Sequence, residues 1–254
     1  LAYNLGAVIN TGNFRASLDY WRFDFEDLIE TESSGALVNA YVANDCADGG
    51  AGVGTSACDL LRARIFPTGV AASSLERVEV NRYNGPDVDT SGIDFDFSYT
   101  FDDVAGGLLT LGLEGTYTIE YDVSESFFEG TDLLLQDAYD AVGANNRSRI
   151  PFRSLQDWKG NASINYLNGN HNVRFVTRYV SDFDATTSAE IDSWTTYDLH
   201  YVLTLLEERP TVSLPAVNLP DEAPPLNVDH ELLYDPFTHN PLGRTLKLGV
   251  TYRF

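Results

Sequence analysis

The chain has 254 residues, 43% of them apolar and 12% aromatic, and a net charge of −22. That apolar content argues against global disorder, and the acidic balance argues against a nucleic-acid partner, which needs a basic footprint. No apolar run approaches the roughly 20 residues of a membrane-spanning helix, a test that says nothing about a membrane barrel, whose alternating strands give almost no hydropathy signal.

Leu1 to Asn10 reads as a strand from its first residue, with no charged n-region and no signal h-region, so the chain is expected to be a piece of something longer. The short turn Thr11-Gly12-Asn13 leads into a strand over 14–29. There Phe14, Ala16, Leu18 and Tyr20 share one phase, and Trp21, Phe23 and Phe25 the other. A bulge near Tyr20, or passage through an aromatic belt, is the expected reason. A long connection over about 31–74 follows, and it holds the only two cysteines, Cys46 and Cys58, in a glycine-rich stretch. Zinc would need further Cys or nearby His. A local disulfide is the expectation instead, and with it an oxidising compartment.

The next strand, 75–101, is expected to break at Asn84-Gly85-Pro86. Its second half, Ile93 to Phe101, has every odd position apolar and every even one polar, and Leu109 to Tyr121 repeats the pattern. Further strands are expected at 155–167, 171–182, 194–206, 211–218 and 243–254, the 211–218 strand weakened by Pro215. Short turns and long loops alternate between them, as do the two ends of an outer-membrane barrel. Leu109, Leu111, Leu113, Tyr117, Leu246, Leu248 and Val250 are expected to meet lipid. Asp94, Asp96, Glu114, Glu120, Arg174, Arg178, Asp198, His200, Lys247 and Arg253 are expected to line the lumen. Alternation also suits a soluble sandwich. Strand length and the gathering of Tyr and Phe near strand ends favour the membrane.

Several segments resemble the closing third of TonB-dependent receptors. They are Leu18-Asp19-Tyr20-Trp21-Arg22-Phe23-Asp24-Phe25, Thr90-Ser91-Gly92-Ile93-Asp94-Phe95, Trp158-Lys159-Gly160-Asn161 and Trp194-Thr195-Thr196-Tyr197-Asp198-Leu199. Val217-Asn218-Leu219-Pro220-Asp221-Glu222-Ala223-Pro224-Pro225 is similar to a family motif in which Phe is usual at the position of Pro220. Tyr234-Asp235-Pro236-Phe237-Thr238-His239-Asn240-Pro241-Leu242-Gly243-Arg244 is the most specific match and leads straight into the terminal strand. That strand resembles the barrel-assembly signal, carried here by Val250, Tyr252 and Phe254.

The resemblance implies an all-β fold: a transmembrane antiparallel β-barrel of about 22 strands around a plug. Residues 1–254 would be its C-terminal portion, without the plug domain and the earlier strands. It implies a nutrient importer in the bacterial outer membrane, energised by TonB through the plug. Its partners would be the remaining strands and plug, the barrel-assembly machinery, outer-membrane lipids and an unknown nutrient ligand. No Gly-x-Ser-x-Gly elbow, P-loop or His-Glu-x-x-His motif suggests catalysis, so no enzyme is expected. No cofactor or metal site is expected either, calcium in the acidic loops being the weakly supported exception. Phe127, Phe128, Tyr139, Tyr234 and Phe237 are the candidate substrate contacts. The alternatives are a passive porin or surface-binding barrel without a plug, and a secreted soluble β protein. Nine expected strands make an odd count where bacterial single-chain barrels are even, so both edge strands are expected to need a neighbour.

Overall fold

The computed structural model describes residues 1–68, 75–128, 131–146, 149, 154–185, 189–205 and 210–252. Its long strands are β1 Ala2–Thr11, β2 Phe14–Phe25, β3 Val88–Val104, β4 Gly107–Val123, β5 Trp158–Asn168, β6 His171–Val180, β7 Trp194–Thr204 and β8 Pro210–Val217. The last, β9, consists of Thr245–Leu246 and Gly249–Tyr252, both paired with β8. Each strand pairs antiparallel with its successor, so the sheet is a meander. Among the described residues the sheet is open: β1 pairs only with β2, and β9 only with β8.

Because side chains alternate along a strand, register decides which of them share a face. Phe14, Tyr99, Leu111, Ile164, Phe175, Leu199, Ala216 and Leu246 form one unbroken row from β2 to β9. Leu109, Leu113, Tyr117 and Val250 lie on the same face, as the alternation predicts. Most of this face is bare, Leu113, Leu246 and Val250 among its exposed residues. A contiguous apolar surface of this breadth is foreign to soluble monomers. The opposite face carries the row Ser17, Asp96, Glu114, Asn161, Arg178 and Thr196.

Two irregularities depart from the sequence-based expectation. β2 does not bulge near Tyr20; its register with β1 and β3 is continuous. The extra residue sits in β4, where Gly92 faces Thr118 and Ser91 faces Glu120, leaving Ile119 unopposed. Beyond Ile119 the phase of β4 is reversed. Glu120 therefore leaves the polar face and joins the opposite one, where Arg22 Nη1 donates to its carboxylate at 2.6 Å. Arg22 also pairs with Asp24 and Asp89. Trp21, Phe23 and Phe25 take the other side, so above the bulge the polarity of the two faces is exchanged. Gly92 is required there: a Cβ would stand 2.3 Å from the indole of Trp21.

The second irregularity is in β9, expected as one strand over 243–254. Pro215 has no N–H to donate, so the ladder lapses between Leu246 and Gly249, although Lys247 N still donates to the Pro215 carbonyl at 3.0 Å. Arg253 and Phe254 lie outside the described residues.

The strand break expected at Asn84-Gly85-Pro86 is present. Residues 75–84, however, belong to loop hairpins: Leu75–Val78 pairs with Ile65–Pro67, and Arg82–Asn84 with Ile29–Thr31. The connection from β2 to β3 also holds two helices that periodicity did not announce, α1 Ser34–Ala43 and α2 Ser56–Arg62. Ser33 and Thr55 cap their first turns by accepting from Ala36 N and Cys58 N. The Cys46–Cys58 disulfide joins them with a Cα separation of 5.1 Å. Leu37, Ala40, Tyr41, Leu61 and Ile65 close around it. Gly52 passes so near that a Cβ would meet Asn44 O and Cys58 Sγ.

Candidate functional site

The polar face and the four long connections, all at one end of the meander, are the surfaces that a solute or an inserted domain can meet. The polar face is a hydrogen-bonded floor. Thr116 Oγ1 donates to Asp94 at 2.6 Å and Asn161 Nδ2 to Glu114 at 3.0 Å. Arg178 Nε donates to Asp198 Oδ2 at 2.8 Å. Arg174 stands opposite His200. Asp19 lies directly opposite Asp94, and Asp96 directly opposite Glu114; like charges so placed are destabilising unless a cation approaches. Two adjoining depressions of about 530 and 620 Å³ share Asp96, Glu114 and Asn161.

At the loop end, connections are knitted to one another rather than free. Phe128, from the β4–β5 connection, completes the core of the helical cap in the β2–β3 connection. Tyr83 shares a 2.8 Å hydrogen bond with Ser126, and burial holds the Tyr83 hydroxyl above the ordinary tyrosine range despite that bond. Nearly buried Glu32 pairs with Arg64 and accepts from Asn81 N. In the β6–β7 connection, Asp184 lies beside Ala144 in parallel pairing.

The β8–β9 connection is tied to the wall by residues of the two motif segments. Asp198 accepts from Asn218 N at 2.9 Å while holding Arg178. Asn218 and Glu222 exchange hydrogen bonds, and Asp221 accepts from Arg244 N at 2.7 Å, closing the base of the loop. Trp194 Nε1 donates to Ala223 O. His239 is wedged between Phe183, stacked at 6.0 Å, and the edge of Trp194 at 5.3 Å. Burial pushes its imidazole below the usual histidine range; Asp235 opposes that shift and Lys159 reinforces it. Gln156, also buried, donates to Thr238 at 2.9 Å.

The candidate substrate contacts are dispersed. Phe127 and Phe128 line one depression of about 640 Å³ with Arg82, Glu125 and Asp132, but Phe128 is mostly buried in the cap core. Tyr139 pairs with the end of β4 and lies under the Arg149 guanidinium at 4.3 Å. Tyr234 and Phe237 belong to the β8–β9 connection, Phe237 exposed. Val250 and Tyr252, expected from the sequence to belong to a barrel-assembly signal, lie on β9, both exposed. Among the described residues no group of three or more His, Cys, Asp and Glu is arranged to hold a metal ion. The aromatic run Trp21-Phe23-Phe25 also lies on the polar side, above the bulge, with neighbouring rings 5.8 Å apart.

Residues 1–218 match a family model described as TonB dependent receptor-like, beta-barrel. No curated protein matches the chain. Among solved structures, the FrpB iron transporter from Neisseria meningitidis (F3-3 variant) aligns over 100% of this chain and 30% of its own, at 16% identity and a TM-score of 0.56. The siderophore receptor PirA from Acinetobacter baumannii aligns over 100% and 31%, at 14% identity and 0.53. The copper transporter OprC aligns over 100% and 31%, at 12% identity and 0.54. At these identities the likeness is one of fold, and the chain spans about 30% of the length of these structures.

Proposed function

The chain belongs to the TonB-dependent receptor-like β-barrel family, and from that membership we propose that it forms the C-terminal part of the wall of an outer-membrane nutrient importer. The observation that carries the reading is the open meander with one apolar face. Hydrocarbon offers no hydrogen bonds to the backbone edges of β1 and β9, so each needs a neighbouring strand. The earlier strands of a larger barrel supply them. The apolar face then meets lipid, and the polar face turns to a lumen filled by a plug. Cationic groups of the plug are the natural partners of the Asp19/Asp94 and Asp96/Glu114 pairs.

In this reading the polar face positions and binds; it does no covalent chemistry. Cargo is captured from outside by the knitted loops, with Phe127, Phe128, Tyr139, Tyr234 and Phe237 as candidate contacts, and released inward when TonB acts on the plug. The neighbours are an iron transporter, a siderophore receptor and a copper transporter; the cargo of this protein is a specific nutrient to be identified by uptake. The test is uptake by cells expressing the complete protein, with and without TonB and with the proton gradient collapsed. Loss of uptake in both conditions is expected. Uptake that persists in both would replace the importer with a passive pore.

A further inference from the structure

The β8–β9 connection is built inside out. Within residues 226–242 the buried side chains are Asn227, His230, Asp235 and His239, and the first three organise its turns. Asn227 Oδ1 accepts from Asp229 N, His230 Nδ1 from Leu232 N, and Asp235 Oδ1 from Phe237 N. Asn227 N donates to Leu233 O, and Leu233 N to His230 O, which draws residues 227–233 into a compact turn. The apolar side chains point out. Leu226, Val228, Leu232, Leu233 and Leu242 are between 51% and 76% exposed. Asn227, His230 and Asp235 each accept from a backbone N–H of this loop, although Asp235 Oδ2 and both ring nitrogens of His239 find no hydrogen-bond partner among the described residues; the apolar residues lie outside this bonded turn. They form the outer surface that this fold makes, and water is a poor occupant for it.

What covers that surface follows from the topology. The loop's C-terminal end runs from Leu242 through Gly243 and Arg244 directly into β9, the unpaired edge of the sheet. Leu246, Leu248 and Val250 continue the exposed apolar series along that edge. A strand that pairs with β9 antiparallel emerges at the loop end of the meander beside residues 226–242, and its own connection begins there. Glu231, exposed between Val228 and Leu232, would repel phosphate-bearing lipid headgroups, which favours an apolar protein segment as the cover.

We infer that residues 226–242 form an intramolecular seam, covered by the outer connection of the strand that pairs with β9. The inference rests on the reading that further strands complete the barrel. It extends the closure of the wall beyond the membrane: the barrel is joined at that point by backbone hydrogen bonds within the bilayer and by side-chain burial above it.

A photo-crosslinking residue placed singly at Val228, Leu232 or Val250 of the complete protein, in its native membrane, tests this. Val250 is the control for strand pairing and is expected to crosslink to a strand of the same polypeptide. Val228 and Leu232 are expected to crosslink to the connection adjoining that strand. If Val250 gives the strand while Val228 and Leu232 give only lipid, a different protein or no product, the seam is overturned and the barrel reading stands. If Val250 gives no strand of the polypeptide, the barrel reading falls and the seam with it. As a second measurement, Leu232→Asp with Leu233→Asp should lower the temperature at which the complete barrel loses its fast-migrating folded form on a gel. An unchanged temperature contradicts the seam.

Discussion

Leu113 lies midway along the apolar run of β4, between Leu109 and Tyr117, and directly opposite Phe97 and Ala162. Leu113→Arg should therefore destabilise the membrane-embedded protein by about 2–4 kcal/mol, the cost of a cation at the bilayer midplane. Denaturant unfolding in lipid vesicles measures it, and a change near zero would mean that this face does not meet lipid. His239 gives a different signature. Its folded-state pKa is lowered, chiefly by burial, so the unfolded loop binds more protons than the folded one between that lowered value and the ordinary value of about 6.5. Stability rises with pH wherever the unfolded state holds more protons. The contribution is thus complete above the ordinary value and is lost as the pH falls through it towards the folded value. Hydrogen-exchange protection of residues 226–242, taken relative to the intrinsic exchange rate at each pH, should fall on acidification across that window. His239→Gln should flatten the dependence, and an already flat profile in the parent protein would exclude the histidine as its source.

At the level of elements, the disulfide is expected to hold the helical cap independently of the wall. Its ring is short, and the chain-entropy model assigns it about 3 kcal/mol. Cys46→Ser should open the cap to protease within residues 33–67 while the wall retains its folded mobility on a gel. Loss of the wall as well would show that the cap and the strands fold together. The long strands were legible in the sequence because each displays its alternation directly, as Ile93 to Phe101 does. The helices were not. α1 reads Ser-Gly-Ala-Leu-Val-Asn-Ala-Tyr-Val-Ala, apolar nearly all round, and its burial comes from the disulfide, α2 and Phe128 rather than from an amphipathic stripe. The bulge was misplaced for a related reason. The phase change of β2 is visible in its residues, but the compensating extra residue is in β4, and only the register reveals it. The closing motif was recognised as a string; its job of clipping Asn218 to Asp198 and Asp221 to Arg244 depends on side-chain geometry.

For the whole molecule, nine strands among the described residues pair into an open meander with two free edges, which the proposed importer joins through further strands. Uptake and crosslinking test that completed barrel. The bulge at Ile119 has its own consequence at this scale. On β4 the apolar face runs from Leu109 to Tyr117 and ends where Glu120 and Arg22 meet. At about 3.4 Å per residue and a tilt near 40°, that run is roughly 21 Å tall, close to the height of the lipid-facing band of such barrels. The ion group of Arg22, Asp24, Asp89 and Glu120 stands just above it, too polar to sink. In the proposed barrel a single inserted residue thus sets the immersion depth of the wall. Sliding the bulge by two residues would move that waterline by about 5 Å, enough for the surrounding bilayer to thin or thicken to follow it.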